Sequence, residues 1–152
     1  KINDEIPNFE ILTDKENFKV SNYQGKNIVV FFFPRADTSG CTAESIAFTN
    51  LQKEFDKLNC IVIGISKDNK KKQGKFREKY NLTCELGADF ENDVCEQFGV
   101  WVEKSMYGKK YMGIQRSTFL SNKQGKIINI WEKVKVPGNA EEVLETLKKV
   151  NN

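Results

Sequence analysis

Two uninterrupted apolar segments stand out in the pattern of hydrophobic and polar positions along the chain. Residues 28–33 read IVVFFF, and residues 60–65 read CIVIGI. Neither segment alternates with polar positions, which is typical of strands that are buried on both faces of a sheet. Shorter apolar stretches predict further strands, of which the last two are separated by a turn-like stretch and predict a hairpin. These shorter strands are residues 9–12, 18–20, 86–88, 117–120 and 127–131.

Hydrophobic positions spaced by three and four residues predict helices between these strands. One helix is predicted to begin at about Thr42. Its predicted buried stripe consists of Phe48, Leu51, Phe55 and Leu58. The polar residues 70–80 predict a second helix, although Gly74 weakens that prediction. Residues 93–98 predict a short helix that Gly99 stops.

A last amphipathic helix is predicted over residues 139–150. Asn139 can cap it, and Glu142 occupies the capping-box position three residues later. Its predicted buried face consists of Val143, Leu147 and Val150.

The alternation of strands and helices, followed by a hairpin and a closing helix, predicts a fold of the α/β class. We expect a central mixed sheet with helices on both faces. Residues 101–112 contain a Tyr107-Gly108 turn signal and predict an excursion from that sheet. A chain of 152 residues corresponds to about one domain, so a single domain over residues 1–152 is expected.

The amino-acid composition says less about the fold than about the chemistry that the chain can perform. With 39% hydrophobic and 30% charged residues, the chain is typical of a globular protein rather than a disordered one. The longest apolar run is too short to cross a bilayer. The absence of histidine excludes a histidine general base, a Ser–His or Cys–His nucleophile pair, and histidine metal ligands. A net charge of +3 is too mild to indicate nucleic-acid binding by itself.

Four cysteines are distributed without a CxxC pair, which argues against a zinc ribbon and against a disulfide-rich secreted scaffold. They are Cys41, Cys60, Cys84 and Cys95. Four unpaired thiols favour an intracellular setting, in the cytoplasm or nucleus. Because the chain opens at Lys1 rather than Met, a targeting segment upstream and an organellar location stay open. No metal and no cofactor are expected.

The segment FFFPRADTSGCTAES, residues 31–45, carries the most informative chemistry. A buried strand ends at Pro34, a polar loop follows, and Cys41 then lies at the start of a helix. Free backbone N–H groups at a helix start stabilise a thiolate. Gly40 leaves the approach to the sulfur open. Cys41 is therefore a candidate activated thiol that needs no histidine, although a small packing residue is the alternative interpretation.

The spacing Pro34-x-x-x-Thr38-x-x-Cys41 resembles the active-site signature of the peroxiredoxins. Residues 94–120, VCEQFGVWVEKSMYGKKYMGIQRSTFL, resemble the bacterioferritin comigratory protein, or peroxiredoxin Q, subfamily. The likeness extends from about Ile6 to the last helix. It implies a thioredoxin-like fold and a thiol-dependent peroxidase that reduces hydrogen peroxide and organic hydroperoxides.

The resemblance also implies a role for each residue that matches the signature. Cys41 would attack the peroxide and become a sulfenic acid, which another thiol would reduce. Thr38 would hold the peroxide together with Gly40, and Pro34 would shield the sulfur from water. Arg116, in GIQRSTF, would pair with the thiolate and stabilise charge in the transition state. Arg35 is a nearer cation in sequence but is expected to be exposed.

Two departures from the subfamily pattern affect the expected mechanism. Ser39 stands where proline is usual, and Ile46 stands where many members have a resolving cysteine. Cys60 and Cys95 are expected in the core, whereas Cys84 lies in a loop-like stretch where movement is easiest. Cys84 is therefore the candidate for an intramolecular resolving cysteine. The equally open alternative is a single-cysteine enzyme that thioredoxin, glutaredoxin or glutathione reduces, and the resemblance favours a monomer.

A basic run, KDNKKKQGKFREK at residues 67–79, supports a different class of function. Such a run can bind nucleic acid or chromatin, although a solvated helix face is the favoured interpretation. Phe76 and Tyr80, four residues apart, are expected to dock this helix on the sheet. The aromatic residues Trp101, Tyr107 and Tyr111 are expected to pack rather than to stack on bases. A general thiol–disulfide oxidoreductase is a further alternative, which the absence of CxxC disfavours.

Overall fold

A seven-stranded mixed sheet forms the centre of the computed structural model, which describes residues 2–150. In chain order the strands are β1 (Glu10–Thr13), β2 (Phe18–Lys19), β3 (Asn27–Phe32), β4 (Cys60–Ser66), β5 (Glu85–Ala88), β6 (Trp101–Met106), β7 (Lys109–Ile114), β8 (Ser117–Ser121) and β9 (Ile127–Trp131). The helices are α1 (Ser39–Asn50), α2 (Gln52–Lys57), α3 (Lys70–Tyr80), α4 (Val94–Gln97) and α5 (Asn139–Val150), with a 3₁₀ helix at Val20–Tyr23.

The sheet has the order β2-β1-β5-β4-β3-β8-β9, and β6 pairs with β7 in a separate two-stranded sheet. Strands β3, β4 and β5 run parallel. Strand β1 pairs antiparallel with β5, β8 pairs antiparallel with β3, and β9 pairs antiparallel with β8. The two continuous apolar segments are thus the paired central strands β3 and β4. The hairpin predicted near the end of the chain is β8 and β9.

Strand β3 divides the apolar interior into two clusters because its successive side chains point to opposite faces. Val29 and Phe31 face a cluster that also holds buried residues of α1, α2, α3 and α5. Val30 and Phe32 face the second cluster, which contains α4 and packs against the 3₁₀ helix. The α/β class, the mixed sheet and helices on both faces are therefore confirmed. The predicted domain 1–152 also includes residues 1, 151 and 152, which lie outside the described residues.

The single helix predicted from Thr42 is wrong in two respects. Helix α1 begins earlier, at Ser39, and the helical stretch is interrupted at Leu51, after which α2 begins. At the interruption the Leu51 N–H donates to Phe48 O, a three-residue span that tightens the last turn. The predicted stripe nevertheless packs as one surface. Phe48 and Phe55 are fully buried, and Leu51 and Leu58 are half-buried against the same cluster.

Helix α5 has the predicted bounds, but the predicted cap is wrong. Asn139 lies inside the helix, and its side-chain Oδ1 accepts a hydrogen bond from Thr118 Oγ1 at 3.1 Å instead of capping the first turn. The carbonyl of Gly138 accepts from Glu142 N. The buried face includes Val143 and Leu147 as predicted. Val150 is exposed because the apolar face turns toward Leu144 instead.

The excursion predicted at residues 101–112 is the β6–β7 hairpin, with its turn at Tyr107 and Gly108. Both turn residues have positive φ, as a two-residue hairpin turn requires. Packing was expected for the three aromatic residues of this segment, and for two of them that is wrong. Tyr107 is 97% exposed at the turn, and Tyr111 is 44% exposed, whereas Trp101 is half-buried against the second cluster.

Within residues 2–150, no helix combines the length and the apolar character that crossing a membrane requires.

Candidate active site

Cys41 lies in the first turn of α1, directly after the loop that follows β3. The end of β3 is held against β4, because the Phe33 N–H donates to Ile65 O at 3.0 Å. Thr38 is the N-cap of α1, and its carbonyl accepts from Thr42 N at 2.8 Å. Cys41 thus lies at a helix start, as predicted. Its side chain is completely buried in the first cluster.

Arg116 lies against this sulfur. Its Nη2 donates to Cys41 Sγ at 3.0 Å, and its Nη1 donates to Glu44 Oε1 at 2.6 Å. The backbone of Arg116 is fixed from the other side, because its carbonyl accepts from Val134 N at 2.9 Å. The guanidinium therefore bridges a thiol and a carboxylate that lie one helical turn apart. Burial lowers the pKa of Arg116, and the charges of Glu44 and Cys41 raise it, with a net rise.

Gly40 leaves the space that Arg116 occupies. A Cβ atom at Gly40 would lie 3.3 Å from Arg116 Nη2 and 3.9 Å from Val136 Cγ2. That separation from Nη2 is tighter than ordinary van der Waals contact, so a Cβ atom here would require the guanidinium to shift by a few tenths of an ångström. Glycine therefore favours the close approach of Arg116.

The other two residues of the signature lie on the surface of the loop. Pro34 and Thr38 are both exposed, and the Thr38 hydroxyl donates to Arg35 O at 2.9 Å rather than toward the sulfur. Thr38 Oγ1 keeps its lone pairs available as acceptors. Arg35 is exposed, as expected. The structure therefore brings Cys41, Gly40 and Arg116 into one cluster, with Thr38 and Pro34 along the loop that leads to it.

Sequence reasoning missed Glu44, which is 1% exposed. Burial raises the pKa of its carboxyl to about 7, against the opposing effect of the Arg116 charge and hydrogen bond. Among residues 2–150, no hydrogen-bond partner contacts its second oxygen, Oε2. A signal was present in the sequence, because Cys41, Glu44, Ser45 and Phe48 follow helical spacing and share the buried face. A carboxylate on an otherwise buried face needs a cation.

Lys104 of the β6–β7 hairpin is a second missed residue. Its Cδ and Cε atoms lie 3.2 and 3.5 Å from the position that a Cβ would take on Gly113, so the lysine stem crosses this glycine. Burial lowers the pKa of Lys104, the Arg116 charge lowers it further, and the Cys41 thiolate raises it. Two cations therefore act on the region around the Cys41 sulfur. No short motif in the sequence marked this lysine.

The loop before α1 is anchored to α3 and to the end of β4 at two points. The Ala36 N–H donates to Asp68 Oδ2 at 2.7 Å. Asp37, which has a positive φ of 63°, accepts from Tyr80 Oη at 2.7 Å and from Lys79 Nζ at 3.0 Å. These two hydrogen bonds lower the pKa of Asp37, the Tyr80 bond having the larger effect. The loop position therefore depends on polar contacts rather than on apolar packing alone.

The remaining cysteines are buried. Cys60 and Cys95 lie in the core, as predicted. Cys84 lies between α3 and β5, as the loop-like pattern indicated, but it is only 1% exposed and the stretch is not free to move. Arg77 donates to the carbonyls of Leu82 and Cys84 at 2.6 and 2.8 Å. Burial raises the pKa of the thiol in all three cases, to about 12 for Cys84.

In the described part of the chain, no three side chains among His, Cys, Asp and Glu are grouped so that they could hold a metal ion. The chemistry of the cluster around Cys41 is that of a nucleophilic sulfur next to a fixed cation. Such a sulfur can attack an electron-poor oxygen or sulfur atom.

Comparison with known proteins identifies which of these reactions applies. Residues 2–130 match the AhpC/TSA family. The chain belongs to this family. The peroxiredoxin Bcp of Bacillus subtilis is 44% identical over 149 residues, which cover 97% of this chain and 95% of the relative. The peroxiredoxin Bcp of Escherichia coli K12 is 38% identical over 149 residues, with coverages of 97% and 96%.

Solved structures agree with these relatives. The PrxQ of Xylella fastidiosa superposes with a TM-score of 0.94 at 34% identity, covering 100% of this chain and 98% of that one. The bacterioferritin comigratory protein of Xanthomonas campestris superposes with a TM-score of 0.93 at 33% identity, covering both chains completely. The thioredoxin-like peroxiredoxin fold implied by the resemblance is confirmed.

The chain is therefore a peroxiredoxin, an enzyme that reduces peroxides at the expense of a thiol. The alternatives drawn from the sequence, a nucleic-acid-binding module and a general thiol–disulfide oxidoreductase, are not favoured. The basic run lies on α3, where its lysines are exposed and Phe76 is buried. Tyr80 contacts Phe76 edge to face, as expected for residues that dock the helix.

Proposed function

We propose that Cys41 is the residue that attacks the peroxide. The observation that supports this most directly is the Arg116 guanidinium, which lies 3.0 Å from the buried Cys41 sulfur at the start of α1. A fixed cation and free helix N–H groups both stabilise a thiolate, which is the reactive form of cysteine. The other three cysteines are buried, and burial raises the pKa of each thiol.

In the proposed reaction the Cys41 thiolate attacks one peroxide oxygen. An S–O bond forms while the O–O bond breaks, and the leaving oxygen departs as hydroxide or alkoxide, which takes up a proton. The cysteine becomes a sulfenic acid. Arg116 stabilises the thiolate before the reaction and the negative charge on the peroxide oxygens during it. It can do so without reorienting, because its hydrogen bond to Glu44 and the bond from the Val134 N–H to its carbonyl already fix its position.

The neighbouring residues take supporting roles in this proposal. Thr38 Oγ1 accepts a hydrogen bond from the peroxide while it continues to donate to Arg35 O. Gly40 keeps both the guanidinium and the substrate close to the sulfur. Pro34 is exposed in this structure. We therefore propose that it shields the sulfur from water only once a substrate is bound beside the loop.

Hydrogen peroxide and organic hydroperoxides are the proposed substrates. Alkyl peroxide reduction activity is associated with the bacterioferritin comigratory protein of Xanthomonas campestris, whose structure this chain matches over its whole length. The exposed aromatic and methionine side chains of the β6–β7 hairpin offer an apolar surface on the element that carries Lys104.

An external thiol is the proposed reductant of the sulfenic acid, with thioredoxin, glutaredoxin and glutathione as the candidates. The position five residues after Cys41 is Ile46, so a resolving cysteine is missing there. Cys84 remains the intramolecular alternative. Its burial, its raised pKa and the hydrogen bonds from Arg77 that hold its loop all favour the external thiol.

We also propose that the enzyme works inside the cell as a monomer, with residues 1–152 forming one domain. The four cysteines are all unpaired, which fits a reducing compartment. Sedimentation of the reduced and the oxidised enzyme tests the oligomeric state.

The test of the proposed function is to add one equivalent of hydrogen peroxide in the presence of dimedone, followed by intact mass and peptide mapping. A dimedone adduct on Cys41 is expected, together with complete loss of thiol-driven peroxide consumption in Cys41→Ser. Retention of the full rate in that variant would refute the assignment.

The matched variant Cys84→Ser distinguishes the two reducing routes. If an external thiol is sufficient, Cys84→Ser keeps the wild-type turnover. A Cys41–Cys84 cross-link in the wild type, seen as the loss of two hydrogens, would instead establish Cys84 as the resolving cysteine.

A further inference from the structure

A groove with a surplus of positive charge lies beside the loop that leads to Cys41. We name it the loop groove. It encloses about 380 Å³ and is lined by Arg35, Ala36, Asp37, Asp68, Lys72, Lys75, Phe76 and Lys79. A volume of this size falls within the range of roughly 300–1,000 Å³ that small-molecule sites occupy.

The charges of the loop groove are only partly neutralised by its own carboxylates. Asp37 is engaged by Lys79 and Tyr80, and Asp68 accepts from Ala36 N and from Ser66 Oγ. Within residues 2–150, Arg35, Lys72 and Lys75 have no carboxylate within ion-pair distance. Three cations are therefore available to a ligand from solvent, which must carry negative charge to complement them.

The loop groove also has an apolar floor and a polar wall that is part of the active-site loop. Phe76 and Ala36 supply apolar contact. Arg35, Ala36 and Asp37 belong to the loop that ends at the N-cap Thr38, three residues before Cys41. A ligand in the groove therefore touches the segment that leads to Cys41, and it meets the apolar atoms of Ala36 and the edge of Phe76.

We propose that the loop groove binds a small peptide thiol that carries carboxylates, of the chemical class of glutathione, and that this thiol reduces the Cys41 sulfenic acid. The inference rests on the proposed function, because it assigns the external reductant of that same cysteine. Cationic side chains hold the carboxylates of the reductant, and the peptide lies along Phe76.

The reaction balances with two thiols. The sulfur of the first thiol attacks the Cys41 sulfenic sulfur and forms an S–S bond, and the sulfenic oxygen leaves as water with the proton of that thiol. A second thiol of the same class then attacks the sulfur that the first one contributed. Cys41 leaves as a thiolate, and the two reductant molecules depart as their disulfide. The two thiols together supply the two electrons that the sulfenic acid takes up.

Occupation of the groove also explains how a fully buried sulfur becomes accessible. Cys41 has no exposed surface, so the loop must shift before a mixed disulfide forms. A ligand carboxylate competes with Asp37 for the Lys79 ammonium, which is one of the contacts that anchor the loop to α3. Binding of the reductant therefore loosens the loop when the thiol is in place.

The test compares three thiols of different charge on the enzyme oxidised with one equivalent of hydrogen peroxide. The probes are glutathione, uncharged 2-mercaptoethanol and cationic cysteamine, and the remaining sulfenic acid is trapped with dimedone and measured by mass. The variant is the double substitution Lys72→Gln with Lys75→Gln. The matched control is Lys70→Gln with Lys71→Gln, since these exposed lysines lie on the same helix but outside the groove.

We expect the rate constant for glutathione to fall roughly fivefold or more in the groove variant, and the rates for the two other thiols to stay within about twofold. The control pair keeps the wild-type rate for all three probes. Raising the salt concentration to about 0.5 M removes most of the difference between wild type and the groove variant, because the interaction is between partly exposed charges.

Equal losses for glutathione and 2-mercaptoethanol, or equal losses in the groove and control variants, would overturn the proposal. A groove variant that keeps its glutathione rate but loses reduction by thioredoxin would also overturn it, and would assign the groove to a protein reductant. Failure of the proposed function is seen separately, because the wild type would then form no sulfenic acid in the oxidation step.

Discussion

Glu44 is the residue whose protonation most directly connects the stability of the fold with the site. Its carboxyl is buried and bonded to Arg116, and burial raises its pKa from 4.5 to about 7. In the unfolded chain the same carboxyl ionises near its ordinary value. Between these two values the folded state binds more protons than the unfolded state, so the free energy of unfolding falls as the pH rises through this window.

Glu44→Gln should remove this dependence, because glutamine stays neutral and still offers Arg116 a carbonyl oxygen. Between about pH 5 and about pH 8, the wild type should lose up to about 3 kcal/mol more stability than the variant. Urea unfolding of both proteins across that range measures the difference. Curves that run parallel would show that Glu44 ionises in the fold as it does in water.

Besides Arg116, Lys104 is a second positive charge that interacts with Cys41. Lys104→Met removes that charge while keeping the apolar stem that crosses Gly113. The second-order rate constant for peroxide should fall about fivefold, because the Lys104 charge interacts with those of Cys41 and Arg116 and such interactions are strengthened by the low effective dielectric of a partly buried site. Lys110→Met on the same hairpin is the control, since Lys110 is 78% exposed and pairs with Glu103. Equal rates in both variants would exclude an electrostatic role for Lys104.

At the residue scale, the sequence was informative where a residue type and a position combined. Cys41 was identifiable from its position at a helix start and Arg116 from the family resemblance of the GIQRSTF segment, and the structure places them in contact. Glu44 could have been found from helical spacing alone. Lys104 could not, because its electrostatic interaction with Arg116 and Cys41 depends on the tertiary placement of the β6–β7 hairpin.

Among the elements, the loop between β3 and α1 is held by contacts that the sequence pattern did not reveal. Asp37 takes a left-handed conformation and accepts from Tyr80 and Lys79 on α3. These partners lie more than forty residues further along the chain. The local sequence pattern identifies the loop and α3, but not the hydrogen bonds that join them.

Tyr80→Phe removes one of the two donors to Asp37 and should loosen this loop. Since Cys41 is buried in the anchored state, its alkylation by iodoacetamide reports the population in which the loop has moved. The alkylation rate should rise roughly threefold, the size expected for losing one partly exposed hydrogen bond. Tyr107→Phe is the matched control, because Tyr107 is 97% exposed at a hairpin turn. A Cys41 rate that is unchanged in Tyr80→Phe would mean that the contacts of Lys79 with Asp37 and of Asp68 with Ala36 are sufficient to hold the loop.

The helix boundaries also depend partly on the local sequence and partly on contacts with other elements. The stripe from Phe48 to Leu58 correctly predicted which side chains face the core. It did not predict the interruption at Leu51, because a tightened turn leaves the spacing of the apolar side chains nearly unchanged. For α5, the Asn139 side chain bonds to Thr118 of β8. A partner on another element therefore displaced the local capping interaction.

For the molecule as a whole, the alternation of strands and helices was sufficient to predict the α/β class and a mixed sheet. It could not predict the strand order, because that order depends on which strands become neighbours in the sheet, and consecutive strands in the sequence are not always neighbours. Successive parallel strands β3, β4 and β5 place α1, α2 and α3 on one face of the sheet. This is the face that carries Cys41, so α1 and α3, the helix that lines the loop groove, share one face of the sheet through topology rather than through sequence proximity.

Gly64 and Phe31 form one contact that connects the two central strands with α1, the helix of Cys41. A Cβ atom at Gly64 would overlap with the Phe31 ring, which itself stacks on Phe48 of α1 at 4.5 Å. All of these side chains are fully buried, so the ring has nowhere to move. Gly64→Ala should therefore lower the free energy of unfolding by about 2 kcal/mol. It should also slow the reaction of Cys41 with peroxide, because α1 shifts with Phe48.

Gly74→Ala provides the comparison that separates crowding from the general effect of removing a glycine. A Cβ at Gly74 meets nothing closer than Asp14 Cβ at 3.7 Å, and the position lies inside α3. Alanine there should raise the free energy of unfolding by roughly 0.5–1 kcal/mol, because it restricts the unfolded chain and favours the helix. Urea unfolding of the two variants should thus move in opposite directions. An increase for both variants would show that the Phe31 ring yields and that the central sheet and α1 are packed less tightly than this contact implies.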